Sequence, residues 1–175
     1  MLRLVLMRHA KSSWTDRKLD DFDRPLSKRG RESAPMMGRE LAKRGLTPEH
    51  ILCSPAKRTR ETLKLLADGM QAKPAVSFEN QLYSFGDGST YLEIIATQQS
   101  ASPLMVIGHN PSIQNLTLRL ITPNSGELVE RIERKFPTAA VAVIDLPIES
   151  WGQLKRLNEV AGRIETFLSP KMLQS

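Results

Sequence analysis

A chain of 175 residues, 40% hydrophobic and 25% charged, has the balance of a folded globular protein. At this length roughly 70% of the surface exposed by the unfolded chain is buried on folding. Twenty-five Lys and Arg against nineteen Asp and Glu leave a net charge of +6, which favours anionic partners such as phosphates, acidic proteins or nucleic acid without choosing among them. The single cysteine, Cys53, excludes an intrachain disulfide and a cysteine-rich zinc site, and fits a reducing compartment. Aromatic residues are only 5% and do not interleave with basic ones, which weakens a stacking platform for nucleic acid.

The first element is an apolar run, Leu2 to Met7, of strand type, which breaks into Arg8-His9-Ala10-Lys11-Ser12-Ser13-Trp14. The run is too short for a signal-peptide core or a bilayer span, so the expectation is a cytoplasmic protein with no membrane partner. Thr15 to Pro25 reads as a polar loop. Ser27 to Lys43 carries Ala34, Met37 and Leu41 at helical spacing, with Pro35 expected to kink the helix or delay its start. Ile51-Leu52-Cys53 is a short buried strand. Ser54 is placed to cap the next helix and Pro55 to sit in its first turn, and Thr59, Leu63, Leu66 and Met70 carry that helix to about Asp68.

Ala75 to Phe78 reads as a strand, Leu82 to Gly88 as a turn-rich loop, and Leu92, Ile95 and Ala96 as a helix ending near Gln99. Leu104 to Ile107 is the clearest buried strand and runs into Gly108-His109-Asn110-Pro111-Ser112. Ile113, Leu116, Leu120 and Ile121 then mark a helix, and Glu127 to Lys135 a charged one with Leu128 and Ile132 inward. Ala139 to Leu146 is a continuous apolar strand, Trp151 to Leu157 is expected to be an antiparallel partner, and the tail holds Phe167 and Leu168. No repeat or linker divides the chain, so the expectation is one domain over residues 1–175. Strands alternating with helices predict a three-layer α/β/α fold with a mostly parallel central sheet covered on both faces.

Three strand ends therefore supply Arg8 with His9, Arg58, and His109. Ligands of open α/β sheets bind at the carboxyl ends of the strands. A lone His9 is more often a residue of a surface turn; a second histidine site and two arginines at neighbouring strand ends reverse that reading. Two guanidinium groups can neutralise a phosphoryl group through forked hydrogen bonds, and a neutral imidazole can attack phosphorus. Cys53 and Arg58 do not have the spacing of a cysteine phosphatase loop, and a thiol ending an apolar strand is more often a core residue. Asp16, Asp20, Asp21 and Asp23 lack the pattern of a calcium loop and are expected to be solvated or paired with local arginines. His50 and Arg60 need no role beyond the surface.

Arg8-His9-Ala10 with Trp14, Ser54-Pro55-Ala56-Lys57-Arg58-Thr59 and Gly108-His109-Asn110-Pro111 resemble the three signature blocks of the histidine phosphatase superfamily, in its phosphoglycerate-mutase-like branch. Asp21-Phe22-Asp23-Arg24-Pro25-Leu26, Phe136-Pro137-Thr138-Ala139-Ala140 and Phe167-Leu168-Ser169-Pro170-Lys171 are similar to its SixA-like phosphohistidine phosphatases. The resemblance implies that His9 is the nucleophile and is transiently phosphorylated, and that Arg8, Arg58 and His109 bind the phosphoryl oxygens, with no cofactor and no metal. The attacking nitrogen of His9 must be neutral, with the other donating to a fixed acceptor such as a backbone carbonyl. Lys11, Ser12 and Thr15 are candidates to touch phosphate or the protein substrate.

Many members of the broader family carry a carboxylic acid in the loop corresponding to Leu82 to Gly88, where this chain has Ser84; Asp87, Glu79 and Glu93 are the nearby substitutes. An alkoxide leaving group needs that proton, whereas imidazole, with a pKa of about 6.5, leaves with little help. The expected substrate is a phosphohistidine-bearing protein domain, of phosphorelay or phosphotransferase-system type, and the product inorganic phosphate. A general phosphomonoesterase and a non-catalytic phosphate-binding module are the alternatives. No segment advertises a large apolar interface, so a monomer is expected, and nucleic acid is not an expected partner.

Overall fold

The structure is a computed structural model, and it describes residues 1–123, 126–156 and 161–175. Six strands, β1 (Leu2–Arg8), β2 (His50–Cys53), β3 (Ala75–Phe78), β4 (Leu104–Gly108), β5 (Val141–Leu146) and β6 (Arg163–Leu168), form one sheet in the order β3-β2-β4-β1-β5-β6. β1, β2, β3 and β4 pair in parallel, and β5 runs antiparallel to both β1 and β6. β5 is thus the one reversed strand. The helices are α1 (Lys28–Lys43), α2 (Lys57–Met70), α3 (Ser89–Ala96), α4 (Ser112–Leu120), α5 (Glu127–Arg134) and α6 (Pro170–Gln174).

Alternation along β1 divides its side chains between two apolar layers. Val5 and Met7 pack with Ala34, Met37 and Leu41 of α1 and Leu66 and Met70 of α2, whereas Leu4 and Leu6 pack with Tyr91 and Ile95 of α3 and Ile113, Leu116 and Leu120 of α4. Both faces of β1 are therefore covered, which is why its sequence is a near-continuous apolar run.

Register sets the strand ends level. Arg8 pairs with Gly108 and Cys53 with Ile107, so His9, Ser54 and His109 leave three adjacent strands side by side. The amide of His9 donates to the carbonyl of Gly108 at 3.0 Å and that of Ser54 to Ile107 at 3.1 Å.

Several local expectations are corrected. Helix α1 starts at Lys28 and continues through Pro35, so the proline does not delay its start. Helix α2 begins at Lys57 with Ala56, which has no side-chain acceptor, at the cap position; Ser54 lies two residues earlier, where its hydroxyl meets His109 and accepts from the Ala56 amide. In α5 Ile132 is buried and Leu128, half-buried, packs against the same core, as expected, and Val129 joins them. Trp151–Arg156 is a 3₁₀ helix rather than an antiparallel strand, and Leu157 lies outside the described residues. Trp151 and Leu154 are spaced for one helical face, which the apolar count alone did not separate from a strand. β5 instead finds its outer partner in the tail segment, β6.

Helices α1 and α2 cross closely through two glycines. A Cβ at Gly38 would lie 2.2 Å from the Leu66 carbonyl oxygen, and one at Gly69 would lie 2.2 Å from that of Pro35. Gly→Ala in a helix interior ordinarily stabilises by up to about 1 kcal/mol. Here the backbone-to-backbone contact reverses the sign, and Gly38→Ala is expected to lose about 1–3 kcal/mol. Urea unfolding of the two proteins checks this; an equal or higher midpoint for the variant contradicts it.

Candidate active site

The site is assembled on the face of α2 that looks at the end of β1. Arg58, Glu61 and Thr62 lie three and four residues apart and so share that face. Thr62 Oγ1 accepts from the Ala10 amide at 3.0 Å, and Glu61 Oε1 accepts from the Leu26 amide at 2.9 Å. Between these anchors the chain loops out and returns, pinched at its base where Ser12 bridges to Leu26. A short 3₁₀ helix, Asp21–Asp23, forms within the loop.

Arg58 is only 2% exposed, and Asp21 is its counter-ion. Its Nη1 donates to the Asp21 carbonyl at 2.7 Å and its Nη2 to Asp21 Oδ2 at 3.0 Å. The same carboxylate accepts from Tyr83 Oη at 2.6 Å and from Arg24 Nε at 3.1 Å. Burial alone would raise the Asp21 pKa, but the hydrogen bonds from Tyr83 and Arg58, the Arg58 charge and Arg24 bring it down to about 2. Arg24 also donates to Ser12 Oγ at 2.8 Å and lies 3.4 Å over the Trp14 ring, which is 67% exposed.

His9 and His109 face each other with ring centroids 5.4 Å apart. Nδ1 of His9 lies 2.7 Å from the Ala10 carbonyl oxygen, which can only accept, so Nδ1 carries the proton and Nε2 holds a lone pair. Nε2 of His109 lies 2.7 Å from Ser54 Oγ. The His109 amide donates to Tyr91 Oη, which donates in turn to the Leu82 carbonyl at 2.7 Å. A Cβ at Gly108 would lie 2.5 Å from Tyr91 Oη, so only glycine admits this brace. Tyr83 and Phe85 close the His109 ring in, with centroids at 5.4 and 5.0 Å.

Burial, then the charges of Arg58, Arg8 and Arg24, push the His9 pKa down to about 3 against the raising effect of its bond to Ala10. Burial, the facing His9 and Arg58 push His109 down to about 2. Burial and then Arg58 lower Arg8 as well. Nη1 of Arg8 donates to the Phe136 carbonyl at 2.9 Å, an oxygen it shares with Asn110 Nδ2. Among the described residues, the buried side-chain nitrogens or oxygens with no hydrogen-bond partner are Arg8 Nε, Arg58 Nε and His109 Nδ1. Buried polar groups are ordinarily paired. Three unpaired nitrogens on adjacent strand ends, beside the lone pair of His9 Nε2, form a receptacle for an oxyanion.

The structure brings Arg8, His9, Arg58 and His109 together. Ser12 is buried beside them through its bond to Arg24, whereas Thr15 is exposed and bonds to Ser13. Of the three carboxylates weighed as acids, Asp87 is exposed and turned to the Ser89 amide at 2.9 Å, a contact that lowers its pKa, the wrong direction for an acid. Glu79 follows the edge strand β3, and Glu93 is exposed on α3. Ser84 offers its carbonyl to Ser112 Oγ, which also accepts from Gly86 and holds the loop in place. Cys53 is fully buried and its thiol is pushed up to about 12 by burial. His50 bonds to Ser77 at the sheet edge. Asp21 and Tyr83 are the site residues not singled out beforehand. Among the described residues no group of His, Cys, Asp and Glu is arranged to hold a metal, and no helix is long and apolar enough to cross a membrane.

Comparison with known proteins gives the family of the chain. The family model described as histidine phosphatase superfamily (branch 1) matches residues 4–143. An uncharacterised chloroplastic protein of Arabidopsis thaliana is 36% identical over 96% of this chain and 78% of its own length. An uncharacterised protein of Mycobacterium leprae is 33% identical over 94% of this chain and all of its own. A crystal structure of a candidate phosphohistidine phosphatase SixA from Agrobacterium tumefaciens superposes with a TM-score of 0.79 at 28% identity, covering 97% of this chain and 98% of that one.

The two depressed histidines tie stability to pH. Each is neutral in the folded protein and ordinary, near 6.5, when unfolded, so between about 3 and 6.5 the unfolded state binds more protons. Their contribution is complete above about pH 6.5 and is lost as pH falls, at up to about 1.4 kcal/mol per unit for each. Asp21 adds to the loss below about pH 4. Denaturant midpoints from pH 7 to 4 are expected to fall steadily, and a flat profile between pH 6.5 and 4.5 contradicts the buried neutral histidines.

Proposed function

The chain belongs to the histidine phosphatase superfamily and is a phosphatase, and from that premise we propose that it hydrolyses phosphohistidine on a protein through a covalent phospho-His9 intermediate. The phosphoryl oxygens sit against Arg8 Nε, Arg58 Nε and His109 Nδ1, the three buried nitrogens that lack partners. A Ser54 hydroxyl donating to His109 Nε2 leaves Nδ1 as an N–H, the tautomer that donates to an oxyanion. His9 Nε2 attacks phosphorus, a new P–N bond forms, and the P–N bond to the substrate imidazole breaks. The departing ring takes its proton from solvent. Water then attacks the phospho-His9 phosphorus and releases inorganic phosphate, returning neutral His9. The arginines and His109 stabilise the charge on the phosphoryl oxygens in both steps.

The observation that carries the choice of substrate is the state of Asp21, the carboxylate bound to Arg58. Asp21 is held ionised by Arg58, Arg24 and Tyr83, and the loop over His109 presents the rings of Tyr83 and Phe85 in place of a carboxylic acid. An alkyl ester, whose leaving alkoxide requires a proton, is poorly served by such a site; an imidazole leaving group is not. The resemblance to SixA-type chains and the exposed Trp14 and Phe85, one over Arg24 and the other against His109, support a substrate presented on a protein surface. A cytoplasmic, monomeric enzyme of single-domain organisation over residues 1–175, acting in a phosphorelay or phosphotransferase system, completes this reading.

Single-turnover mixing with a radiolabelled phosphohistidine protein is expected to pass label through the enzyme to free phosphate, with His9→Ala slower by at least about a thousandfold. Faster cleavage of alkyl phosphomonoesters than of phosphohistidine overturns the substrate assignment, and label that never reaches the enzyme overturns the covalent route. Because guanidinium groups supply the positive charge, dialysis against EDTA is expected to leave the rate unchanged; loss that added metal restores contradicts this.

A further inference from the structure

Beside the phosphatase centre lies a separate cavity of about 320 Å³. Four stretches of chain distant in sequence contribute cations to its wall: Arg8 at the end of β1 with Lys11 just beyond it, Arg29 in the first turn of α1, Lys135 after α5, and Lys171 in α6. No carboxylate lines it, and Lys11, Arg29, Lys135 and Lys171 form no salt bridge to any Asp or Glu among the described residues. Ser33, Thr138 and Ser169 add hydroxyl groups to the lining. Those of Thr138 and Ser169 make no hydrogen bond to a protein group among the described residues. Arg29 and Ser33 are spaced four apart, on one face of α1. That helix is drawn onto the loop by Ser27, which donates through both its amide and its hydroxyl to the Lys11 carbonyl at 2.9 and 3.1 Å. A Cβ at Gly30 would lie 2.1 Å from the same oxygen, so the approach requires glycine.

Five like charges around one cavity repel one another, and an anion placed among them removes that cost. Arg8 belongs to both places: it lines this cavity, and its buried Nε is unpaired at the reaction centre. We propose that the cavity is a second oxyanion subsite, which holds a carboxylate or phosphate group of the substrate while the phosphoryl group to be transferred occupies the neighbouring centre. It gives a purpose to the Phe136–Ala140 and Phe167–Lys171 stretches, which lie outside the three phosphate-binding blocks. The subsite rests on the phosphatase reading of the centre beside it, but not on phosphohistidine being the group cleaved there.

The test is calorimetric titration of the full chain with inorganic phosphate at low ionic strength, for wild type and the Lys135→Ala/Lys171→Ala double variant. Both lysines are exposed, and neither touches the reaction centre. Wild type is expected to bind two equivalents and the variant one, with turnover of phosphoramidate, which carries a single oxyanion, unchanged. The source of the second oxyanion is then read from KM. A tenfold rise in the variant for a histidine phosphopeptide flanked by Glu, absent when Gln flanks it, assigns a protein carboxylate; the same rise confined to a small bisphosphorylated substrate assigns a second phosphate. A single equivalent in wild type, two in the variant, or unchanged KM for both substrate types overturns the subsite. A wild type that binds two phosphates, one lost in the variant, yet turns over neither phosphoramidate nor the phosphopeptide refutes the phosphatase reading and with it the substrate role of the subsite, and leaves only an anion-binding cavity.

Discussion

A guanidinium group taken almost wholly out of water must be neutralised where it lies, and much of this molecule is arranged around doing so for Arg58. Asp21 supplies the charge, but Asp21 sits in a loop, and a loop carboxylate is useful only if it is held still. Its second oxygen accepts from Tyr83 and its first from Arg24, while Arg24 is fixed by Ser12 and stacks on Trp14. The loop after β1, the loop after β3 and the first turns of α2 are thereby tied to one carboxylate. Arg58 is the buried partner, whereas Asp21 keeps 44% of its side chain exposed, so it is the removal of Asp21 that is costly, because it strands the desolvated guanidinium. Arg58 is accordingly rigid before any ligand arrives, and its unpaired Nε is presented at no further entropic cost.

The same positive field governs the histidines. Two imidazoles facing each other beside two arginines would repel strongly if protonated, and burial disfavours the charged form further. Both are neutral for that reason, and the neutral state is the one each needs: His9 with a lone pair on Nε2, His109 with an N–H on Nδ1. The Ala10 carbonyl, which can only accept, chooses the tautomer of His9, and it is a Ser54 hydroxyl in the donating orientation that gives His109 its N–H on Nδ1. Positive charge thus serves both to attract an oxyanion and to keep the nucleophile unprotonated.

Sequence periodicity made the strands and the main helices legible because both faces of the sheet are covered, and buried strands must be apolar throughout. The Arg8-His9 and Gly108-His109 turns were legible for a related reason: a buried run that breaks into a polar or turn-forming residue marks a strand end. Asp21 was not, since four aspartates crowd Asp16 to Asp23 and only the three-dimensional return of the loop selects one of them. Ser54 has the composition of a helix cap but the partner of a site residue, and the two are indistinguishable from local sequence. β6 was missed because its residues are only half-buried along most of its length, so Arg163 and Glu165 break the apolar pattern that identified β5. Its pairing depends on β5, a tertiary fact rather than a local one.

The position of β1 in the sheet has a temporal consequence. Its neighbours on either side are β4 and β5, so the most apolar early segment of the chain has no strand partner until residues 104–108, and later 141–146, have been made. At ribosomal rates of about 5–20 residues per second, β1 waits several seconds for the first of these and longer for the second. During that interval both edges of β1 are unsatisfied; helices α1 and α2, made by residue 70, can cover the Val5 and Met7 face, but the Leu4 and Leu6 face waits for α3 and α4, so the order of synthesis sets how long that apolar surface stays exposed.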